Sequence, residues 1–288
     1  MYQTLISVAA AKNLSSENMS DVVFVDCRHQ LGNPAWGEQQ YQLGHLPKAQ
    51  FAHIDNDLSS PIIVGKTGRH PLPTPESLTV VFGKLGIGSN TQVIAYDQDV
   101  GMFAARLWWL LRAMGHLNVA VLDGGYEAWV ASGGVVENTQ LEINPSEFKG
   151  EWNPLLVDSD NVLAHLNQPN RVLSDARLPE RFKGLEEPID RKAGHIPGAI
   201  NLPFNENLEY GFWRSKEDLK ARFEQFSNDD LHHASNPEVV CYCGSGITAC
   251  HNILAMVHAG LPEPLLYAGS WSEWIVDDAR PVETEFYV

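Results

Sequence analysis

Short runs of β-branched and other apolar residues recur along the chain: DVVFVD (21–26), TQVIAYD (91–97), NVAVLD (118–123), RVLSD (171–175) and EVVCYC (238–243). Their apolar character is nearly continuous rather than alternating, the pattern of strands buried on both faces. Between them lie helix-like segments such as PESLTVVFGKLGI (75–87), GMFAARLWWLLRAMG (101–115) and GITACHNILAMVHAG (246–260). Such alternation predicts an α/β protein with mostly parallel sheets and helices on both faces.

The pattern occurs twice. FVDCRHQ (24–30) returns as LSDARLP (173–179), LGHLPKAQFAHID (43–55) as AGHIPGAINLPFN (193–205), VIAYDQD (93–99) as VVCYCGS (239–245), and LDGGYEAW (122–129) as YAGSWSEW (267–274). These four collinear matches share offsets of 145 to 150 residues, which implies a duplicated domain. The boundary falls in the aperiodic stretch 135–152, which carries an Asn-Pro step, giving domains 1–138 and 154–288 joined by a linker over 139–153.

The chemistry concentrates after the strand EVVCYC. The turn CGSGI (243–247) stands between that strand and a helix ending at Gly260, at the carboxyl edge where open α/β sheets place ligands. Its glycines let successive backbone N–H groups face inward as an anion-binding nest beside the positive end of a helix. A thiolate at Cys243 is stabilised there, which predicts a pKa lowered from about 8.5 towards neutrality. Cys241, two residues earlier and deeper in the strand, and Cys250, inside the helix, read as packing residues. The spacing of Cys241, Cys243, Cys250 and His251 does not converge four ligands tetrahedrally, so no metal is expected. A phosphatase loop would need an arginine six residues after the cysteine, where Ala249 stands. Sulfur chemistry remains, with a thiolate attacking a donor's outer sulfur to form a persulfide.

Composition narrows the partners. A net charge of −16 over 288 residues argues against nucleic acid, and an anionic substrate would need local positive charge supplied by the site. The apolar runs are too short to span a bilayer, the N-terminal stretch has no secretory or import pattern, and the four cysteines are too few for a disulfide scaffold. A cytoplasmic protein with reduced thiols and no membrane association is expected.

CGSGIT (243–248), DAR and GHIPGAINLP in the second half, GHLPKAQF in the first, and the paired G-x-[YW]-x-x-W tails closely resemble the tandem rhodanese-domain sulfurtransferases, and within them the 3-mercaptopyruvate branch. The resemblance implies two rhodanese-like domains, the second catalytic and the first without its cysteine. Asp97 indeed holds the place of Cys243 in the first repeat. It also implies roles for residues. RFKG (181–184) makes Arg181 the anchor for the donor's carboxylate, and EPID (187–190) puts Ile189 where a second arginine is usual, leaving Arg191 as the candidate replacement. Ser245, His70 and Asp55 are the expected serine, histidine and aspartate that polarise the donor. His45 and His195, Asp26 and Asp175, and Trp129 and Trp274 recur at matching positions in both halves, so they are expected to serve folding.

The expected reaction is ping-pong transfer from 3-mercaptopyruvate through a persulfide on Cys243, cradled by the N–H groups of Gly244, Ser245, Gly246, Ile247 and Thr248. The acceptor would be a thiol such as thioredoxin or glutathione, or cyanide, with no cofactor. Thiosulfate is the rival donor, and a non-catalytic sulfur-carrier or partner-binding module the rival class. The uncharged 243–248 loop favours mercaptopyruvate over the dianion.

Overall fold

The computed structural model describes residues 1–16, 21–139, 145–224 and 237–285, so part of the expected linker, 140–144, lies outside the described residues. The chain forms two compact units. The first comprises Met1–Ser60, Leu72–Pro154 and Tyr210–Trp213, and the second Pro61–Pro71, Leu155–Glu209 and Arg214–Val288. Each unit therefore takes one short stretch from the sequence territory of the other.

In the first unit the elements run β1 (Leu5–Ile6), α1 (Val8–Ser16), β2 (Val22–Asp26), α2 (Trp36–Leu43), β3 (Gln50–Phe51), α3 (Pro75–Lys84), β4 (Gln92–Tyr96), α4 (Ala104–Ala113), β5 (Val119–Leu122) and α5 (Gly125–Ala131). The strands form one parallel sheet in the order β1-β5-β4-β2-β3. Every residue of β4 and β5 is buried, as expected of strands covered on both faces. Phe24, Ile94, Tyr96 and Trp129 pack in the core on one side of this sheet. Thr74 caps α3 through its side chain, with Pro75 in the first turn.

The second unit repeats the plan with β6 (Leu156–Val157), α6 (Ser159–Ala164), β7 (Arg171–Asp175), α7 (Pro179–Phe182), β8 (Ile200–Asn201), β9 (Leu208–Glu209), α8 (Lys216–Glu224), β11 (Glu238–Tyr242), α9 (Thr248–His258), β12 (Leu265–Tyr267) and α10 (Ser270–Trp274); the intervening β10 (Phe212–Trp213) belongs to the first unit. Its parallel sheet has the matching order β6-β12-β11-β7-β8. The order reverses between β7 and β11, so the carboxyl end of β11 opens at a topological switch point. Asp175 pairs in register with Tyr242, and the next residue is Cys243. The chain leaves α9 through Gly260 at φ 79°, the left-handed position that glycine occupies without a steric penalty.

Candidate active site

Cys243 follows the last residue of β11 and is 2% exposed. Its Sγ accepts a hydrogen bond from the Gly246 N–H at 3.2 Å, so the thiol faces back into its own loop. Gly246 makes that turn at φ 80°, and a Cβ there would lie 2.4 Å from the Ala268 carbonyl oxygen. The cysteine's own N–H donates to Ser270 Oγ at 3.0 Å, and its carbonyl accepts from the Trp271 N–H at 2.9 Å. Ile247, buried, precedes α9, and Thr248 is that helix's first residue.

Ser245 is buried two residues beyond the cysteine. Its Oγ is hydrogen-bonded to His70 Nδ1 at 2.7 Å, and the histidine is 5% exposed. His70 comes from the Pro61–Pro71 stretch that belongs to the second unit. That stretch is tied to the start of α10: the Arg69 N–H donates to Ser272 Oγ at 3.1 Å, and a Cβ on Gly68 would lie 2.6 Å from the Gly269 carbonyl oxygen.

Two guanidinium groups stand over the loop. A Cβ built on Gly244 would lie 2.8 Å from Arg69 Nη2 and 3.3 Å from Arg181 Nη1. Arg181, on α7, holds both oxygens of Glu187 at 2.9–3.2 Å and Asp190 Oδ2 at 2.9 Å, while Arg69 bonds Asp190 Oδ1. Burial and the neighbouring Arg181 cation pull the Arg69 pKa down to about 10, against the opposing pull of the Cys243 sulfur and Glu187.

Arg191 does not join them. Its guanidinium, 54% exposed, bonds the Ile275 carbonyl and Asp278 Oδ1, so the second cation beside the loop is Arg69 and not Arg191. Asp55 belongs to the first unit, where its N–H donates to His53 Nδ1 at 3.1 Å. Cys241 is wholly buried beneath the loop, and burial drives its thiol pKa far up. Cys250 donates its S–H to the Gly246 carbonyl at 3.3 Å, supporting the turn from below.

The recurring residues are structural in matching ways. Asp26 and Asp175 each accept from the N–H two residues on, at 2.9 Å, and each pairs with the arginine there, Arg28 or Arg177. His45 and His195 stack on Tyr41 and Phe182 and bond those residues' carbonyls. Trp129 and Trp274 are buried, with each indole N–H donating to a carbonyl, of Val135 and Pro281. In the first unit's counterpart of the cysteine loop, the Asp97 carboxylate accepts from the Gly101, Phe103 and Ala104 N–H groups at 2.8, 2.8 and 3.3 Å.

Sequence reasoning missed Arg69, Asp190 and Ser270. Ser270 left a trace: its repeat partner is Gly125, at φ 57°, and Ser270 adopts the same left-handed backbone at φ 56°. A serine kept where a glycine would be unstrained points to work for its hydroxyl, which bonds both the Cys243 N–H and the Tyr267 carbonyl. Arg69 and Asp190 left no such trace, being outside the repeated motifs.

The rhodanese-like domain profile matches residues 7–132 and again 158–277. The chain is 46% identical over 267 residues to the "Probable 3-mercaptopyruvate sulfurtransferase" of Pseudomonas aeruginosa, covering 92% of this chain and 93% of that protein. It is 37% identical to the thiosulfate sulfurtransferase of Rattus norvegicus, covering 82% and 79%. The crystal structure of SseA from Escherichia coli, a 3-mercaptopyruvate sulfurtransferase, superposes with a TM-score of 0.79 at 28% identity, covering 94% of this chain and 100% of that one. The chain belongs to the rhodanese-like family, with two such domains. Within it, the protein is an enzyme of the 3-mercaptopyruvate/thiosulfate sulfurtransferase class, moving sulfur from a donor to an acceptor. Among the described residues no helix is long and apolar enough to cross a membrane.

Proposed function

We propose that the enzyme takes sulfur from 3-mercaptopyruvate, carries it as a persulfide on Cys243 and passes it to a thiol such as thioredoxin or glutathione. The observation that best supports this reading is the 2.7 Å Ser245–His70 hydrogen bond beside the cysteine loop, with Arg181 across it. The Cys243 thiolate attacks the donor sulfur, forming the S–S bond as the donor's C–S bond breaks. The bonding pair passes to carbon and leaves the pyruvate enolate. The proton shed by the donor's thiol returns to that enolate through Ser245 and His70, so pyruvate departs neutral at carbon. Arg181 holds the donor's carboxylate by a charge-assisted pair. The acceptor thiolate then attacks the outer sulfur and restores Cys243. The first unit, with Asp97 in the cysteine's place, takes no part in bond making, because a carboxylate cannot carry sulfane sulfur.

Substitution separates the cysteines. Cys243→Ser is expected to abolish transfer, while Cys241→Ser and Cys250→Ser keep most of it. Pyruvate release by the Cys243→Ser protein, measured with mercaptopyruvate and a thiol acceptor, would overturn the assignment. Thiosulfate is the second reading, favoured by the second guanidinium beside the loop.

A further inference from the structure

The two arginines over the loop are already occupied, and their occupants differ in how firmly they are held. Glu187 is fixed by both its oxygens on Arg181, by the Ile189 and Asp190 N–H groups at 3.1 and 3.0 Å, and by Arg177 Nη1 at 3.5 Å. The Asp190 carboxylate is held by two side chains, one oxygen on Arg69 and the other on Arg181. It is 5% exposed, and it bridges the two guanidiniums that come nearest Gly244. Its chemistry is that of a small carboxylate bound between the two arginines that stand over the nucleophile's loop.

Resting on the sulfurtransferase reading above, we propose that Asp190 is a built-in stand-in for the donor's anionic head, and that it sets donor choice. Arg69 and Arg181 are each paired with carboxylates, so the charges of the two guanidiniums over the loop are offset by those of Glu187 and Asp190. A carboxylate donor enters by exchange: Asp190 swings out and its place between Arg69 and Arg181 is filled by a group of the same charge and shape. Thiosulfate brings a second negative charge close to the sulfur that must be attacked, and with the Asp190 charge still nearby that second charge finds no partner. Arg69 is thereby a donor-binding residue, and Asp190 a specificity-determining one.

Steady-state kinetics with each donor, using cyanide as the acceptor, test this on four proteins. For Asp190→Asn the ratio of thiosulfate to mercaptopyruvate kcat/KM should rise about tenfold, mainly through a lower KM for thiosulfate, as expected for one unpaired ionic contact at 1.4 kcal/mol per decade. Asp190→Glu, which restores the charge, should return the ratio to within about threefold of the wild-type value. Arg69→Gln should raise KM for both donors by about tenfold or more with a smaller change in kcat. An unchanged ratio in Asp190→Asn, or an equal rise in Asp190→Glu, overturns the proposal. Should Asp190→Asn fail to fold, unchanged KM values in Arg69→Gln overturn it instead. Absence of transfer from either donor by the wild-type protein would sink the underlying function and this proposal with it, a result distinct from all the others.

Discussion

Ser270 shows how much the site asks of a single residue. Its left-handed backbone costs a non-glycine residue on the order of 1 kcal/mol or more, and the hydroxyl that justifies the cost accepts from the buried Cys243 N–H. Ser270→Ala keeps the strained backbone and strands that N–H, so it should lower stability by about 1–3 kcal/mol. Ser270→Gly also loses the hydroxyl but relieves the backbone, and should recover part of the loss. Denaturant unfolding of the three proteins checks the order; an alanine variant as stable as the wild type would contradict it. Residues of this kind are the least legible in a sequence. Cys243 and Gly246 were legible from the strand–turn–helix pattern, and Ser245 through the family resemblance. Arg69 did not, because its approach to Gly244 depends on how the Pro61–Pro71 stretch packs at α10, and no local pattern encodes that.

At the scale of elements, the strands and helices that carry continuous apolar character were legible throughout: β2, β4, β5, β7, β11, α3, α4 and α9 fall within the segments their patterns predict. The two-residue strands β1, β3, β6 and β8 were not, since so short a segment has no period to read and is defined by its neighbour in the sheet. The loop-to-helix junction after β4 and after β11 is one element used twice. In the first unit the carboxylate of Asp97 fills it and caps the start of α4, and burial raises its pKa to about 6 despite the three N–H donors. A folded-state pKa above the unfolded value of 3.8 means that the folded protein binds this proton more tightly. The resulting stability is fully present below about pH 4 and is lost as pH rises through 6, a change on the order of 3 kcal/mol. Asp97→Asn does not titrate, so its stability relative to wild type should improve by about that amount between pH 4 and pH 7. Parallel pH profiles for the two proteins in urea melts would show that the Asp97 carboxylate is not so perturbed.

For the molecule as a whole, the duplication was legible because four motifs recur in order, and the two sheets carry the same strand order as a result. The exchange of short stretches between the units was not, since Pro61–Pro71 and Tyr210–Trp213 lie outside every repeated motif. Yet the first of these brings His70 and Arg69 to the cysteine loop, so the second sequence repeat does not by itself contain the whole candidate site. In the function proposed above, an acidic chain with a net charge of −16 meets an anionic donor through arginines gathered from distant parts of its sequence.

Whether Cys243 carries the sulfur is read by intact-protein mass spectrometry after incubation with 3-mercaptopyruvate in the absence of any acceptor. A gain of one sulfur atom is expected on the wild-type protein, localised to the peptide containing Cys243, released on adding a thiol and absent from Cys243→Ser. An unmodified wild-type protein that nonetheless releases pyruvate, or a sulfur carried equally by the Cys243→Ser protein, would contradict it.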